Sequence, residues 1–101
     1  MNSIYDYSNP KVVYENARHY LGNDVIIKLS NKPEKKYMIL NPHTNKWVYF
    51  GQMGFEDFTK GNVDPKRREN YMKRTANIRG QWRNDKYSPN MLSRCILWTE
   101  W

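Results

Sequence analysis

Outside the turn-rich pentamer 41–45, three prolines in this chain each directly follow a side chain that can cap a helix, in the pairs Asn9-Pro10, Asp64-Pro65 and Ser88-Pro89. Proline fits the first turn of a helix because its missing N–H would be unpaired there. The preceding side chain can accept a hydrogen bond from a free backbone N–H. The repeated signal predicts three helices, over about residues 10–21, 65–78 and 89–98.

The interval between the first two helices has the composition of a small sheet. Residues 25–29 (VIIKL) are short and β-branched, and residues 37–40 and 47–50 flank the turn-rich pentamer 41–45 (NPHTN). Two such runs around a turn predict a β-hairpin, to which the earlier strand adds. Gly51 and Gly54 follow the last strand and indicate positive φ angles or a close chain approach.

These elements predict an α+β fold in a single compact domain, because a chain of 101 residues can bury one modest core. A small three-stranded antiparallel sheet packs with about three helices. The domain spans residues 1–101, with an N-terminal helix at 10–21, the sheet within 24–50 and a basic helical part at 64–98. No apolar run approaches the roughly 20 residues that cross a bilayer, and no signal-peptide pattern opens the chain. We therefore expect a soluble protein that is neither secreted nor bound to membranes.

Positive charge is concentrated in the C-terminal part of the chain. The formal net charge is +7, and residues 60–101 hold ten of the 17 Lys and Arg residues but only four of the 10 Asp and Glu residues. Such asymmetry favours an anionic partner, either nucleic acid or an acidic protein surface.

Helical spacing places Arg67, Tyr71 and Arg74 on one side of the second helix, while Met72 and Ala76 face the core. Guanidinium groups pair with phosphate oxygens, and aromatic rings can stack on unpaired bases or pack. The predicted nucleic-acid-binding residues are Arg67, Arg68, Tyr71, Lys73, Arg74, Arg79, Trp82 and Arg83. No base-reading motif is present, so contacts should be phosphate-directed and weakly sequence-specific. The alternative is a solvated helix whose long basic stems cover the aromatic core.

The carboxylates near this helix allow two interpretations. Glu56, Asp57 and Asp64 could hold Mg²⁺ for phosphodiester cleavage. Alternatively, Asp64 caps the second helix, and Asp57 or Thr59 forms turn hydrogen bonds or an ion pair with Arg67 or Arg68. Neither a cysteine nor a second histidine lies at zinc-ligand spacing from His19 or His43 in the sequence. We predict no catalytic residues, no metal and no cofactor.

Several short motifs resemble those of a family of small uncharacterised proteins from large double-stranded DNA viruses of the mimivirus and phycodnavirus type. The motifs are a lysine-led hairpin, FG at 50–51, GFEDFT at 54–59, RR at 67–68, Y-x-x-R at 71–74, Trp82 and LW at 97–98. Gly61-Asn62 and Thr75 stand where family members often have histidines. The resemblance implies a viral source and a virion- or genome-associated role, in the virion or in host cytoplasm or nucleus.

Two function classes follow. The first is a non-enzymatic viral protein that binds nucleic acid through the basic helix, with DNA favoured over RNA. The alternative is a structural or minor capsid-type protein that docks on acidic viral proteins or self-associates, with exposed aromatics at residues 4–7 and 98–101 as anchors. Both termini could instead fold over the core. A metal-dependent nuclease is the third reading.

Overall fold

The helices begin where the capping signals predict. The computed structural model describes residues 3–99 of the chain. Helix α1 spans Pro10–Leu21, α2 spans Pro65–Ala76 and α3 spans Pro89–Leu92. The side chains of Asn9, Asp64 and Ser88 each accept a hydrogen bond from a backbone N–H of the first turn, as predicted.

The sheet has three antiparallel strands, β1 at Ile27–Leu29, β2 at Lys35–Asn41 and β3 at Lys46–Gln52, in the order β1-β2-β3. Ile39 in the central strand lies opposite Ile27 on one side and Val48 on the other. The α+β fold with a three-stranded antiparallel sheet is therefore confirmed. The hairpin strands extend further than predicted, because pairing continues to Lys35 and Gln52 beyond the apolar residues.

The core lies between the sheet, α1 and the last helical segment. Its members are buried apolar side chains: Val13, Ala17, Tyr37, Ile39, Phe50, Leu92, Ile96, Leu97 and Trp98. Asn16 on α1 donates a hydrogen bond to the Ile96 carbonyl over 2.8 Å and so joins the first helix to the last. Both helices are thereby fixed over the same face of the sheet.

The last helix departs from the prediction. After α3 the chain continues as a π-helical turn, Ser93–Leu97, in which the Trp98 N–H donates to the Ser93 carbonyl over 3.1 Å. A π turn contains one residue more than an α turn, and it is frequent at functional sites. Here Leu97 reaches Gly51 of β3 and Trp98 reaches Tyr71 of α2.

Of the two alternatives for the terminal aromatics, exposure or packing over the core, Trp98 follows the second and Tyr5 the first. Trp98 is only 8% exposed, because its ring stacks on Tyr71. Tyr5 is 69% exposed as expected, whereas Ile4 packs against the core. Trp101 lies outside the described residues. Among residues 3–99, no helix is long and apolar enough to cross a membrane.

Candidate functional site

The structure brings the predicted basic residues onto α2 and the segment that follows it. Arg67, Lys73 and Arg74 are exposed on the helix, and Arg79 and Arg83 are exposed beyond its end. Arg83 donates to the Ala76 carbonyl over 3.1 Å and packs 4.3 Å from the centre of the Trp82 ring. The helix itself ends at Ala76, before the predicted Ile78, and the Ile78 carbonyl accepts a hydrogen bond from Trp82 Nε1 over 2.7 Å.

Arg68 is set apart from the other predicted basic residues by its burial. Its side chain is half-buried, Nε donates to the Trp98 carbonyl over 2.7 Å, and the guanidinium lies 5.9 Å from the Phe58 ring. Arg94 behaves similarly and was not predicted. It donates to the Met72 carbonyl and to Thr75 Oγ1 over 2.9 and 2.6 Å. Both arginines hold the last helix against α2.

Tyr71 and Trp82 are packing groups. The Tyr71 ring stacks on Trp98 with 4.3 Å between centroids and 11° between planes, and Arg74 lies 5.5 Å from its centre. Burial is the main cause that raises the pKa of Tyr71 above its ordinary value. Trp82 is 8% exposed and is flanked by the guanidinium groups of Arg83 and Arg94. Of the two predicted roles, stacking on bases or packing, these contacts show packing.

A cleft of about 790 Å³ lies between α2, the end of β3 and the start of α3. Its interior is largely apolar and includes Phe50, Tyr71, Leu97 and Trp98. Polar and charged side chains also line it: Lys35, Lys36, Gln52, Glu56, Arg67, Asn70, Arg74, Asn90 and Ser93. Phe55 and Ile78 contribute apolar surface and are 67% and 50% exposed.

Exposed carboxylates near the cleft are each shared by two cations. Glu56 lies 2.7 Å from Lys60 and 3.6 Å from Arg67, and Glu69 lies 3.6 Å from Lys66 and 3.0 Å from Lys73. A hydrogen bond from Lys60 lowers the pKa of Glu56 in particular. One negative charge per two positive charges leaves a positive surplus along the helix.

Asp57 is buried in a different arrangement from these carboxylates. Its Oδ2 lies 3.0 Å from Lys36 Nζ, and the side chains of Asp57 and Lys36 are only 1% and 3% exposed. Lys36 Nζ also donates to the Phe55 carbonyl over 2.5 Å, and Asp57 Oδ1 accepts from the Thr59 N–H over 2.9 Å. Burial lowers the pKa of Lys36, and the Asp57 charge opposes that shift.

The Asp57 group extends through hydroxyls into the segment before α1. Thr59 Oγ1 donates to Asp57 and is joined to Ser8 Oγ over 3.1 Å, and Ser8 accepts from the Tyr37 hydroxyl over 2.7 Å. The side chains Ser8, Lys36, Tyr37, Asp57 and Thr59 are hereafter called the buried polar network. The network joins the chain before α1 to strand β2 and to the segment that follows β3.

These contacts settle the role of two of the three carboxylates considered for a metal. Asp64 caps α2 and Asp57 forms the turn hydrogen bonds, both as the structural alternative predicted. Of the two alternatives for Asp57, turn hydrogen bonds are present, and the ion pair that it also forms is with Lys36 rather than with Arg67 or Arg68. Within the described part of the chain, no three His, Cys, Asp or Glu residues are grouped so that they could hold a metal ion.

Sequence reasoning missed Lys36 and Phe55. A usable signal existed for Phe55, since GFEDFT places two aromatics around Asp57, of which Phe58 is half-buried and Phe55 is exposed. Lys36 gave little signal, because a lysine beside Tyr37 in a strand ordinarily faces solvent.

Comparison with known proteins yields one family. A model described as a family of unknown function, DUF5754, matches residues 25–75. The matched region contains the sheet and nearly all of α2, and so includes Lys36, Asp57, Arg67 and Arg74. No curated protein and no solved structure matches the chain.

Proposed function

The chain belongs to the DUF5754 family, whose function is unknown, and we propose that it is a non-enzymatic protein that binds nucleic acid through the exposed cations of α2 and of residues 79–83. The observation that carries the proposal is the surplus of exposed positive charge on this surface. Arg67, Lys73, Arg74, Arg79 and Arg83 are all exposed there.

The exposed ion pairs on this surface leave its cations available to phosphate. Glu69 is shared by Lys66 and Lys73, whose side chains are 64% and 70% exposed, so water already screens both pairs. Exposed pairs of this kind contribute little stability and exchange partners readily. A phosphate group can therefore replace a carboxylate at small cost. Phosphate contacts fix a strand without reading its sequence, which supports phosphate-directed, weakly sequence-specific binding.

The proposal also covers the viral source of the protein and its location, and this part rests on sequence motifs rather than on surface charge. The GFEDFT, Y-x-x-R and closing LW motifs resemble proteins of large double-stranded DNA viruses, which supports a virion- or genome-associated role and DNA over RNA as the ligand. Mass spectrometry of purified particles of such a virus tests this part. Absence of the chain from particles and from the viral factory would remove it.

The direct test is binding to fluorescent single- and double-stranded DNA at roughly 50 to 300 mM salt. We expect affinity to fall linearly on a log–log plot, because each phosphate contact releases counterions. The variant R67Q/R74Q should weaken binding and reduce the slope by about 2. The matched control K11Q/R18Q removes two exposed positive charges from α1. It should retain both the native affinity and the native salt slope.

Two outcomes would overturn the proposal. One is no binding at the lowest salt, and the other is an equal loss in both variants. Repeating the assay with Mg²⁺ adds a separate outcome, because cleavage of the labelled strand would indicate a nuclease in place of a binding protein.

One observation favours the second candidate function, docking on an acidic protein. Phe55 and Ile78 expose apolar surface beside the basic face, and apolar anchors next to charge are typical of protein interfaces. The native chain should then capture an acidic protein from particle lysate, and the variant I78S should not. Retention of DNA binding with no captured protein would exclude this candidate.

A further inference from the structure

The cleft beside α2 has the size and mixed lining of a small-molecule site. Its volume of about 790 Å³ lies within the roughly 300–1,000 Å³ that is typical of ligand pockets. Most such sites combine apolar walls with a few polar groups that fix the orientation of the ligand. The cleft therefore offers more than a flat basic surface.

Phe55 supplies the aromatic surface that remains available in this cleft. Tyr71 is already engaged by Trp98 and Arg74, so its ring is not free to stack on a ligand. Phe55 lines the cleft and is 67% exposed. The backbone around it is held in place, because the Phe55 carbonyl accepts from buried Lys36. An exposed ring on a fixed segment loses little freedom when a flat ligand stacks on it.

Carboxamide side chains add hydrogen-bonding groups of both kinds. Gln52, Asn70 and Asn90 line the cleft, and each carboxamide carries a donor and an acceptor. The Asn90 nitrogen is directed to the Thr75 carbonyl over 3.3 Å, which leaves its oxygen as the group it can offer. Donor and acceptor pairs of this type match the edges of an unpaired base.

The charge of the cleft specifies an anion. Lys35, Arg67 and Arg74 line it together with one carboxylate, Glu56, and the charge of Lys36 is balanced by Asp57. A ligand with a flat ring, hydrogen-bonding edges and one negative group would satisfy all three kinds of lining residue.

We propose that this cleft holds one unpaired nucleotide of a bound strand, with its base stacked on Phe55 and its phosphate on Arg67 and Arg74. The inference rests on the proposed function and deepens it, since it specifies single-stranded nucleic acid as the preferred ligand. A base within a duplex is stacked and paired and cannot enter. A free nucleoside 5′-monophosphate should bind weakly in the same place.

The test compares F55A with Y5A in binding to single strands, duplexes and single strands that carry abasic sites. Tyr5 is 69% exposed and does not line the cleft, so Y5A is a matched loss of an exposed ring. We expect F55A to weaken single-strand binding about 5- to 150-fold, the range found for removal of a base-stacking aromatic. Duplex binding, abasic-strand binding and the salt slope should not change.

The outcomes separate the inference from the function on which it rests. If the native chain binds neither strand type, the proposed function fails. If native binding is salt-dependent but F55A lowers single-strand and abasic-strand binding equally, only the nucleotide site fails. The same holds if F55A lowers neither.

A second readout follows the side-chain amide NMR signals of Asn70 and Asn90 during titration with adenosine 5′-monophosphate. We expect both signals to shift, and to shift less in F55A. Shifts reproduced by inorganic phosphate alone would overturn the base-binding role.

Discussion

Two charged regions of this protein differ in what surrounds their charges. In the buried polar network, Lys36 and Asp57 lie 3.0 Å apart and are 3% and 1% exposed. On α2, Glu69 lies 3.0 Å from Lys73 with exposures of 50% and 70%. The distances are equal, so the energetic difference between the pairs comes from water.

That difference decides which cations can serve a ligand. Removing one partner of a buried pair leaves the other charge without water or counterion, which is strongly unfavourable. An exposed cation loses only a screened interaction that solvent or phosphate replaces. The lysines and arginines of these two regions therefore divide into those that hold the fold, such as Lys36 and Arg68, and those whose exposed charge is available to a ligand.

The largest expected effect comes from breaking the buried pair. Lys36→Met should lower the free energy of unfolding by about 3–5 kcal/mol, because Asp57 would remain buried without its counter-charge. Urea denaturation measures the loss. Lys60→Met, which breaks an exposed pair with Glu56, is the matched control and should leave the unfolding midpoint nearly unchanged.

The double variant K36M/D57N checks the physical reason. It removes both charges and should be less destabilised than K36M alone, since no buried carboxylate remains unpaired. A K36M protein as stable as K60M would show that the buried pair contributes no more than the exposed one.

Close packing at the buried region gives the next effect. Gly51 has φ +81°, and a Cβ there would lie 2.9 Å from Leu97 Cδ1 and 3.1 Å from Lys36 Cβ. Gly51→Ala should cost about 2–4 kcal/mol, from backbone strain together with overpacking. Gly54 has φ +95°, and a Cβ there would have no atom within 4 Å apart from those of its chain neighbours. Gly54→Ala therefore measures the backbone strain alone. Thermal denaturation that gives the two variants equal stability would contradict this account.

Alkaline pH sharpens the comparison through buried tyrosines. Burial raises the pKa of Tyr20, Tyr37 and Tyr71 above the ordinary value of 10.0. The unfolded chain therefore loses these protons first, and stability should fall above pH 10 by up to roughly 1.4 kcal/mol per pH unit for each tyrosine, and by less for the partly exposed Tyr20, which water screens.

The lowered pKa of Lys36 gives a slope of opposite sign that ends near its ordinary value of 10.5, so the decline is clearest above that pH. Unfolding by urea at pH 9 to 12 provides the measurement, and Tyr37→Phe should make the fall less steep. Stability that stays level through this range would contradict the predicted ionisation behaviour.

The smallest effect distinguishes two arginines of the same helix. Arg68→Gln should cost about 1 kcal/mol of stability, because the hydrogen bond to the Trp98 carbonyl is lost, and should leave the salt slope of DNA binding unchanged. Arg74→Gln should do the reverse, with little change in stability and a slope lower by about 1. Equal behaviour of the two variants in both assays would erase the division between structural and binding cations.

The fold was largely predictable because its signals are local. A capping side chain before a proline acts within one turn, so Asn9, Asp64 and Ser88 marked the helix starts correctly. The end of α1 at Leu21, directly before Gly22, was also predicted correctly. The end of α2 and the π turn depend on distant partners, such as Gly51 for Leu97, and no signal in the adjacent residues predicts them.

The candidate site was less predictable for the same physical reason. Arg67 and Arg68 are adjacent and chemically identical, yet the position of Trp98 makes one of them structural. Spacing along a helix shows which side chains share a face, but not what covers that face. The lining of the cleft by β3 and Phe55 likewise arises only when the sheet packs beside α2.

The hydrogen bond from Asn16 to the Ile96 carbonyl bears on how this chain is made. The sheet is complete at Gln52, but the helix that closes the core is not synthesised until Leu97. At roughly 5–20 residues per second, the intervening stretch takes roughly 2–9 s to be synthesised, during which Leu92, Ile96 and Leu97 are missing from the core. Each newly made molecule therefore passes through an interval in which Tyr37, Ile39 and Phe50 lack the apolar partners that Leu92, Ile96 and Leu97 supply. We expect chains arrested in that interval to aggregate more readily than the full chain.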